Sequence, residues 1–132
     1  MNRLGHILVV DDEPNVLVTY RLILEQQGYQ VSAAQSSEAA RNVLGSGGVD
    51  LLLCDLSLEK QESGFDVIIF GSEVDPKLAS VLLTGYASQE ANDWADERGI
   101  PMLFKPIDIR QLLDTIDELL RNRGEMRQAS SN

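Results

Sequence analysis

The chain has 132 residues, of which 43% are hydrophobic, and its 21 acidic and 11 basic side chains give a formal net charge of −10. This acidic balance argues against nucleic-acid binding by this domain, because a nucleic-acid binder needs basic side chains to displace counterions from phosphates. The length and the apolar content fit one domain with a sizeable core.

The sequence predicts neither a membrane segment nor an oxidising compartment. The apolar run at 6–10 is too short for a signal peptide or a spanning helix. Cys54 is the only cysteine, so no disulfide can form within the chain, and its thiol is interpreted as a small buried core residue. We therefore expect a soluble cytoplasmic domain at 1–120 with no membrane partner, followed by a polar tail or linker at 121–132.

Short apolar runs alternate with segments of helical periodicity, which is typical of a parallel sheet with crossover helices. In chain order, the first half predicts a strand at 6–10, a helix at 14–27, a strand at 30–34, a helix from 36 or 37 to 44, and a strand at 51–54. The second half predicts a helix from 64 or 65 to 73, a strand at 78–84, a helix at 89–98, a strand at 102–104, and a last helix that a capping box at Asp108 and Gln111 opens. The apolar stripe of this last helix ends at Leu120, and the residues beyond Arg121 are predicted to fray.

Polar side chains follow four of the predicted strands. They are Asp11 and Asp12 after the first, Asp55 after the third, Thr84 at the end of the fourth and Lys105 after the fifth. Ligands of open parallel sheets bind at the carboxyl ends of the strands, so these side chains are expected at one edge. Three carboxylates repel one another unless a hard cation neutralises them, and oxygen ligands with retained waters suit Mg²⁺. The sequence therefore predicts a magnesium site.

Such a site is suited to phosphoryl chemistry. A carboxylate can act as a nucleophile and become an acyl phosphate, while a metal, an ammonium and a hydroxyl stabilise charge on the phosphoryl oxygens. Asp55 is the predicted nucleophile because it stands alone after a central apolar strand. Asp11 and Asp12 are then predicted to hold the metal, with Lys105 as a point charge and Thr84 as a hydroxyl donor.

The chain resembles the receiver domain of two-component response regulators. The matching segments are VVDDEP at 9–14, LCD at 53–55, LTG at 83–85 and FKP at 104–106. The resemblance implies an α/β fold of the doubly wound, flavodoxin-like (βα)₅ type with strand order 2-1-3-4-5. It further implies a cis peptide bond before Pro106.

The same resemblance implies a function and its site residues. Asp55 would accept a phosphoryl group from a sensor histidine kinase or a histidine phosphotransfer protein. Mg²⁺ would be held by Asp12 and Asp55, with Asp11 assisting through water and the backbone carbonyl of Ser57 as a further ligand. The domain would thus be a phosphorylation-controlled switch rather than an enzyme with its own substrate.

The resemblance also implies partners. In receivers the usual partner surface is the face formed by 86–120, which here carries eight acidic and three basic residues. A downstream protein, or a covalently linked output domain, is expected to bind this face through basic groups. A phosphorylation-dependent homodimer is a further partner of this type.

Three positions depart from the receiver pattern. Leu58 and Glu59 stand where receivers commonly carry Met-Pro, and Gly64 lies nine residues after Asp55 instead of about eight, so the loop is predicted to be one residue longer. Met102 replaces the switch aromatic, so a rotating ring cannot act as the relay. Tyr86, together with Ser57, is expected to influence the lifetime of the phosphoryl group.

Three alternatives stay open at this point. A small Mg²⁺-dependent phosphatase or phosphotransferase would share the Asp nucleophile, but Ser57 stands where such phosphatases carry a second acid. A pseudo-receiver would bind partners without phosphorylation, as the unusual loop and Met102 allow. Flavin electron transfer on the same fold is disfavoured because the first strand ends in acids, where a flavin phosphate needs amide and hydroxyl donors.

Overall fold

The computed structural model describes residues 4–58 and 63–130, which form five strands and five helices in alternation. The strands are β1 (His6–Val10), β2 (Gln30–Ala34), β3 (Leu51–Asp55), β4 (Ala79–Thr84) and β5 (Met102–Phe104). The helices are α1 (Pro14–Gln26), α2 (Ser37–Gly45), α3 (Gly64–Val74), α4 (Gln89–Glu97) and α5 (Ile109–Ser130). All strand pairs are parallel and the order is β2-β1-β3-β4-β5, which confirms the expected flavodoxin-like α/β fold.

The middle of the sheet is formed by the most apolar strands. In β1, Leu8 lies between Ser32 of β2 and Leu52 of β3, and β3 pairs on its other side with β4. Leu52 and its neighbours in β3 are fully buried. Continuous apolar runs are expected of parallel strands because helices cover both of their faces.

Two apolar cores, one on each face of the sheet, hold the helices in place. Side chains alternate between the faces along a strand, so one core contains Ile7 and Val9 and the other contains Leu8 and Val10. The first core packs α1 and α5 against the sheet, and the second packs α2, α3 and α4. Each fully buried Leu or Ile contributes roughly 1.5–3 kcal/mol, so this packing fixes the strand ends relative to one another.

Side-chain caps begin four of the helices. The hydroxyl groups of Ser36, Ser63 and Ser88 accept backbone N–H groups at the starts of α2, α3 and α4. At the start of α5, the carboxylate of Asp108 accepts the N–H of Gln111 at 3.1 Å. The cap expected at Asp108 is therefore confirmed, and serine hydroxyl groups fulfil the same function for the other three helices.

The last helix is longer than the sequence predicts. The prediction that the chain frays beyond Arg121 is wrong, because α5 continues to Ser130. The guanidinium of Arg123 is buried, lies 2.7 Å from Asp75 Oδ2 and 3.4 Å from Asp50 Oδ1, and donates to the carbonyl of Lys77. Ion pairs of the buried Arg123 with two partly exposed aspartates therefore hold the helix beyond the end of its apolar stripe, and hydrophobic periodicity carries no signal of them.

We predict that Arg123→Ala lowers the free energy of unfolding by about 2 kcal/mol in urea denaturation followed by circular dichroism. The loss falls below the roughly 3–5 kcal/mol of a fully buried pair because both aspartates are partly exposed. Arg121→Ala is the matched control on the same helix, since its ion pair with Asp117 is exposed. We expect it to change stability by no more than about 0.5 kcal/mol, and equal losses in the two variants would contradict the anchoring function of Arg123.

Candidate functional site

The sheet brings the predicted site residues to its carboxyl edge. Asp55 is the last residue of β3 and Thr84 the last of β4, while Asp11 directly follows β1 and Lys105 directly follows β5. Backbone hydrogen bonds extend the pairing to this edge, because Asp11 N–H donates to Ala34 and Lys105 N–H donates to Thr84. The parallel arrangement therefore makes neighbours of residues that are far apart in the sequence.

Three carboxylates form the centre of the site. One oxygen from each of Asp11, Asp12 and Asp55 lies within 4.8 Å of the others. Asp11 is 2% exposed, Asp55 is 7% exposed and Asp12 is half-buried. Asp11 Oδ2 is buried and accepts no hydrogen bond from the described residues. A buried oxygen of this kind, in a set of hard oxygen donors, fits a divalent cation such as Mg²⁺.

Backbone N–H groups orient two of these carboxylates. Asp11 Oδ1 accepts the N–H of Glu13 at 2.9 Å, and Asp55 Oδ1 accepts the N–H of Ser57 at 3.1 Å. The other oxygen of each carboxylate faces Lys105, whose Nζ lies 3.1 Å from Asp55 Oδ2 and 3.6 Å from Asp11 Oδ2. Hydrogen bonds from nearby backbone N–H groups and the ammonium of Lys105 thus fix the carboxylates of Asp11 and Asp55.

The ammonium of Lys105 is stabilised by its acidic neighbours. Burial alone lowers the pKa of Lys105, but the hydrogen bond that its ammonium donates to Asp55 and the attraction of Asp55 and Asp11 raise the pKa above its ordinary value on balance. Lys105 is therefore positively charged at neutral pH. It offsets part of the negative charge of the cluster and leaves the cluster with a net excess of negative charge.

The hydroxyl of Thr84 is bonded to its own loop. Thr84 Oγ1 donates to the carbonyl of Tyr86 at 2.5 Å and accepts the N–H of Tyr86 at 3.1 Å. Thr84 is buried, whereas the Tyr86 side chain is 80% exposed. A rotation of Thr84 towards the acidic cluster would break both bonds and release the loop that carries Tyr86.

The loop between β3 and α3 is closed at its base. Ser57 and Ser63 form an antiparallel bridge, and Gly64 N–H donates to the carbonyl of Leu56 at 2.9 Å. Gly64 packs so closely that a Cβ there would lie 2.5 Å from the backbone oxygen of Asp55. The predicted loop insertion, including Glu59, falls on 59–62, which lie outside the described residues.

Several residues beside the site bear on the predictions. The peptide bond before Pro106 is cis, as expected. Cys54 is a buried core residue, as expected, and burial raises the pKa of its thiol. Met102 packs against the core on the face of α3 and α4.

Tyr20 is a neighbour of the site that the sequence did not indicate. Its side chain is buried in the core beside α5, and burial is the largest of the effects that raise the pKa of the phenol. The charges of Lys105, Asp11 and Asp55 also act on that pKa, so the phenol lies within electrostatic reach of the site. Tyr20 lies on the apolar side of α1, and periodicity does not show which core residue carries a polar atom near the edge of the sheet.

Fold and site together define a flavodoxin-like domain with an acidic, lysine-containing pocket at the carboxyl edge of its sheet. The model of the response regulator receiver domain matches residues 7–117. The chain therefore belongs to the response regulator receiver domain family of two-component signal transduction.

Individual relatives agree with this assignment. The transcriptional regulatory protein GlrR of Escherichia coli (strain K12) is 32% identical over 117 residues, covering 88% of this chain and 26% of GlrR. The alginate biosynthesis transcriptional regulatory protein AlgB of Pseudomonas putida is 34% identical, covering 96% of this chain and 28% of AlgB. A crystal structure of a CheY-like receiver domain protein from Methanospirillum hungatei JF-1 has a TM-score of 0.86 at 28% identity, covering 92% of this chain and 98% of that chain.

The chain thus spans 26–28% of the length of these two curated relatives. Receiver domains bind Mg²⁺ at an acidic pocket, and Asp11, Asp12 and Asp55 form an acidic cluster in this chain. Within 4–58 and 63–130, no helix has the length and apolar character needed to cross a membrane.

We predict that Gly64→Ala destabilises the domain by about 2 kcal/mol, because the new methyl group clashes with the Asp55 backbone and forces it to shift. Gly45→Ala is the matched control, since a Cβ at the end of α2 meets nothing within 4 Å. We expect that control to be neutral or stabilising by up to about 1 kcal/mol in the same urea denaturation. A neutral effect of Gly64→Ala would show that the close packing against Asp55 does not constrain the loop.

Proposed function

We propose that Asp55 accepts a phosphoryl group from the phosphohistidine of a sensor histidine kinase or a histidine phosphotransfer protein. The observation that carries this proposal is the position of Asp55 between an ammonium and two further carboxylates. One of its oxygens is bonded to Lys105 and the other to the N–H of Ser57. The domain is then a phosphoacceptor switch in the cytoplasm, rather than an enzyme that turns over a separate substrate.

The transfer begins when a carboxylate oxygen of Asp55 attacks the phosphorus atom in line with the departing imidazole nitrogen. The P–N bond breaks, the nitrogen keeps the electron pair, and an acyl phosphate forms on Asp55. Lys105 remains protonated and stabilises negative charge on the phosphoryl oxygens. Thr84 rotates away from Tyr86 and donates its hydroxyl to one of those oxygens.

The residues that would hold Mg²⁺ are Asp11, Asp12, Asp55 and the backbone carbonyl of Ser57. Asp12 and Asp55 are the proposed direct ligands, with Asp11 acting through water. When bound, the ion neutralises the excess charge of the cluster and of the incoming phosphoryl group. The buried, unbonded Oδ2 of Asp11 supports this ligand set.

The change at Thr84 is the proposed source of the switch. Its two bonds to Tyr86 hold the loop before α4, so their loss alters the face formed by 86–120. A partner that binds the two states of this face with different affinity reads the phosphorylation state. The excess of acidic residues there favours a partner with basic groups, which is a downstream protein, a linked output domain or, on phosphorylation, a second receiver.

The relatives suggest how the domain is used in a whole protein. GlrR and AlgB are named as transcriptional regulatory proteins, and this chain matches only about a quarter of each. We propose that 121–132 connects the receiver to an output domain and that nucleic-acid binding belongs to that domain. The net charge of −10 disfavours nucleic-acid contact by the receiver itself.

We predict that incubation with Mg²⁺ and acetyl phosphate adds one phosphoryl group to the wild-type chain in intact mass spectrometry, and none to Asp55→Asn. The substitution removes the attacking oxygen but keeps the shape of the side chain. Asp66→Asn, in the first turn of α3, is the matched control and should be labelled like the wild type. Equal labelling of Asp55→Asn and the wild type would exclude Asp55 as the acceptor. A wild-type chain that is not labelled, and that does not respond to beryllofluoride either, would exclude the phosphorylation switch.

We predict that Asp12→Asn weakens Mg²⁺ binding by roughly tenfold or more in a calorimetric titration, because it removes one charged oxygen ligand. Asp108→Asn, at the cap of α5, is the control and should bind Mg²⁺ like the wild type. Unchanged affinity in Asp12→Asn would contradict the proposed ligand set while leaving the phosphoacceptor proposal to the mass measurement.

A further inference from the structure

Helix α4 packs on the domain through one large side chain. Within 89–97, which the structure describes completely, the buried residues are the two alanines Ala91 and Ala95. Burial of an alanine stabilises a contact less than burial of a large side chain, because the stabilisation scales with the apolar area removed from water. The large apolar residue of this helix is Trp94, which packs against the core that α2, α3 and α4 share. The position of α4 therefore depends mainly on the contacts of Trp94.

The indole of Trp94 contacts a ring of α3 and a guanidinium of α4. Its ring centroid is 4.2 Å from the centroid of Phe65, at an interplanar angle of 34°. The guanidinium of Arg98 lies over the Trp94 ring, 4.1 Å from its centroid, and donates to the Trp94 carbonyl at 3.1 Å. Aromatic pairs and cation–π contacts both add stabilisation beyond the area that they bury. We name the contact between the two rings the Phe65–Trp94 stack, and it joins α3 to α4.

The Phe65–Trp94 stack begins beside the acidic site. Phe65 directly follows Gly64, where a Cβ would lie 2.5 Å from the backbone oxygen of Asp55. Phe65 also lines an open groove together with Tyr86, which follows β4. One ring of the stack is therefore held near Asp55 by the start of α3, and the other ring belongs to α4.

The bonds of Thr84 connect the Phe65–Trp94 stack to the phosphorylation site. Thr84 is bonded to Tyr86, and the loop that carries Tyr86 leads into α4. When the proposed rotation of Thr84 breaks these bonds, the start of α4 is free to move relative to α3. Such a movement reduces the overlap of the two rings, because they stand on different helices. The stack therefore favours the position of α4 in which Thr84 is bonded to Tyr86.

We propose that the Phe65–Trp94 stack regulates the switch by setting how readily phosphorylation shifts the face formed by 86–120. This inference rests on the proposed function, because it assigns a regulatory contact to the same site. A stack that stabilises one position of α4 opposes the other position, so it lowers the affinity of the site for a phosphoryl group or its analogue. Weakening the stack raises that affinity, although neither ring bonds to the phosphoryl group.

A titration with beryllofluoride in Mg²⁺, followed by fluorine nuclear magnetic resonance of the bound probe, tests the effect on affinity. Phe65→Leu removes one ring of the stack and keeps an apolar side chain. We expect it to reach half-saturation at a beryllofluoride concentration roughly two- to tenfold lower than the wild type, the worth of one aromatic pair. Trp94→Leu removes the other ring and should shift half-saturation in the same direction.

Phe70→Leu is the matched control for the loss of a ring. Phe70 lies on the same helix as Phe65, packs against the same core and is also partly buried, but its ring faces Arg41 of α2 at 5.9 Å. We expect Phe70→Leu to bind beryllofluoride like the wild type. Urea denaturation of all three variants checks that each is folded before the titration.

Hydrogen exchange of the α4 amides measures the stack without any phosphoryl analogue. Exchange reports local opening, so loss of a contact that holds α4 makes its amides exchange faster. We expect an increase of roughly two- to tenfold in Phe65→Leu, measured without Mg²⁺, and no change in Phe70→Leu.

The outcomes separate the stack from the proposed function. Half-saturation or α4 exchange that is the same in Phe65→Leu and the wild type would overturn the regulatory contact alone. An equal shift in Phe70→Leu would also overturn it, because general loosening of the core would then explain the effect. A wild-type chain that does not bind beryllofluoride at all would overturn the proposed function, and the regulatory contact with it.

Discussion

The repulsion among three carboxylates at one edge of the sheet is the constraint on which the rest of the structure depends. Like charges this close raise the free energy of the folded chain unless other groups hold and neutralise them. Here two backbone N–H groups orient Asp11 and Asp55, and the ammonium of Lys105 bridges them. The two apolar cores supply the rigidity, because they fix the ends of β1, β3 and β5 against that repulsion.

Much of the fold was predictable because its signals are local. The central strands of a parallel sheet must be apolar on both faces, so the runs at β1, β3 and β4 were readable from composition alone. The capping residue Asp108 likewise marks the start of α5 in the sequence. Parallel strands end at one edge of the sheet, so the positions of Asp11, Asp12, Asp55 and Lys105 after the predicted strands also indicated that these residues lie together. The structure shows that they do.

The features that the sequence did not indicate are contacts between residues distant in the chain. Arg123 extends α5 by pairing with Asp50 and Asp75, which lie in two separate loops. Tyr20 is similar, since only the fold shows that its phenol is near the acidic edge. Such contacts depend on tertiary geometry rather than on residue type and spacing.

The bridge between Ser57 and Ser63 makes the position of Asp55 independent of the length of the loop between β3 and α3. Because Ser57 and Ser63 are paired and Gly64 packs on the Asp55 backbone, both the carboxylate of Asp55 and the start of α3 are fixed at the base of the loop. Residues inserted beyond that base lengthen the loop without displacing Asp55. The surface next to the acidic pocket can therefore vary while the geometry of the pocket itself is kept.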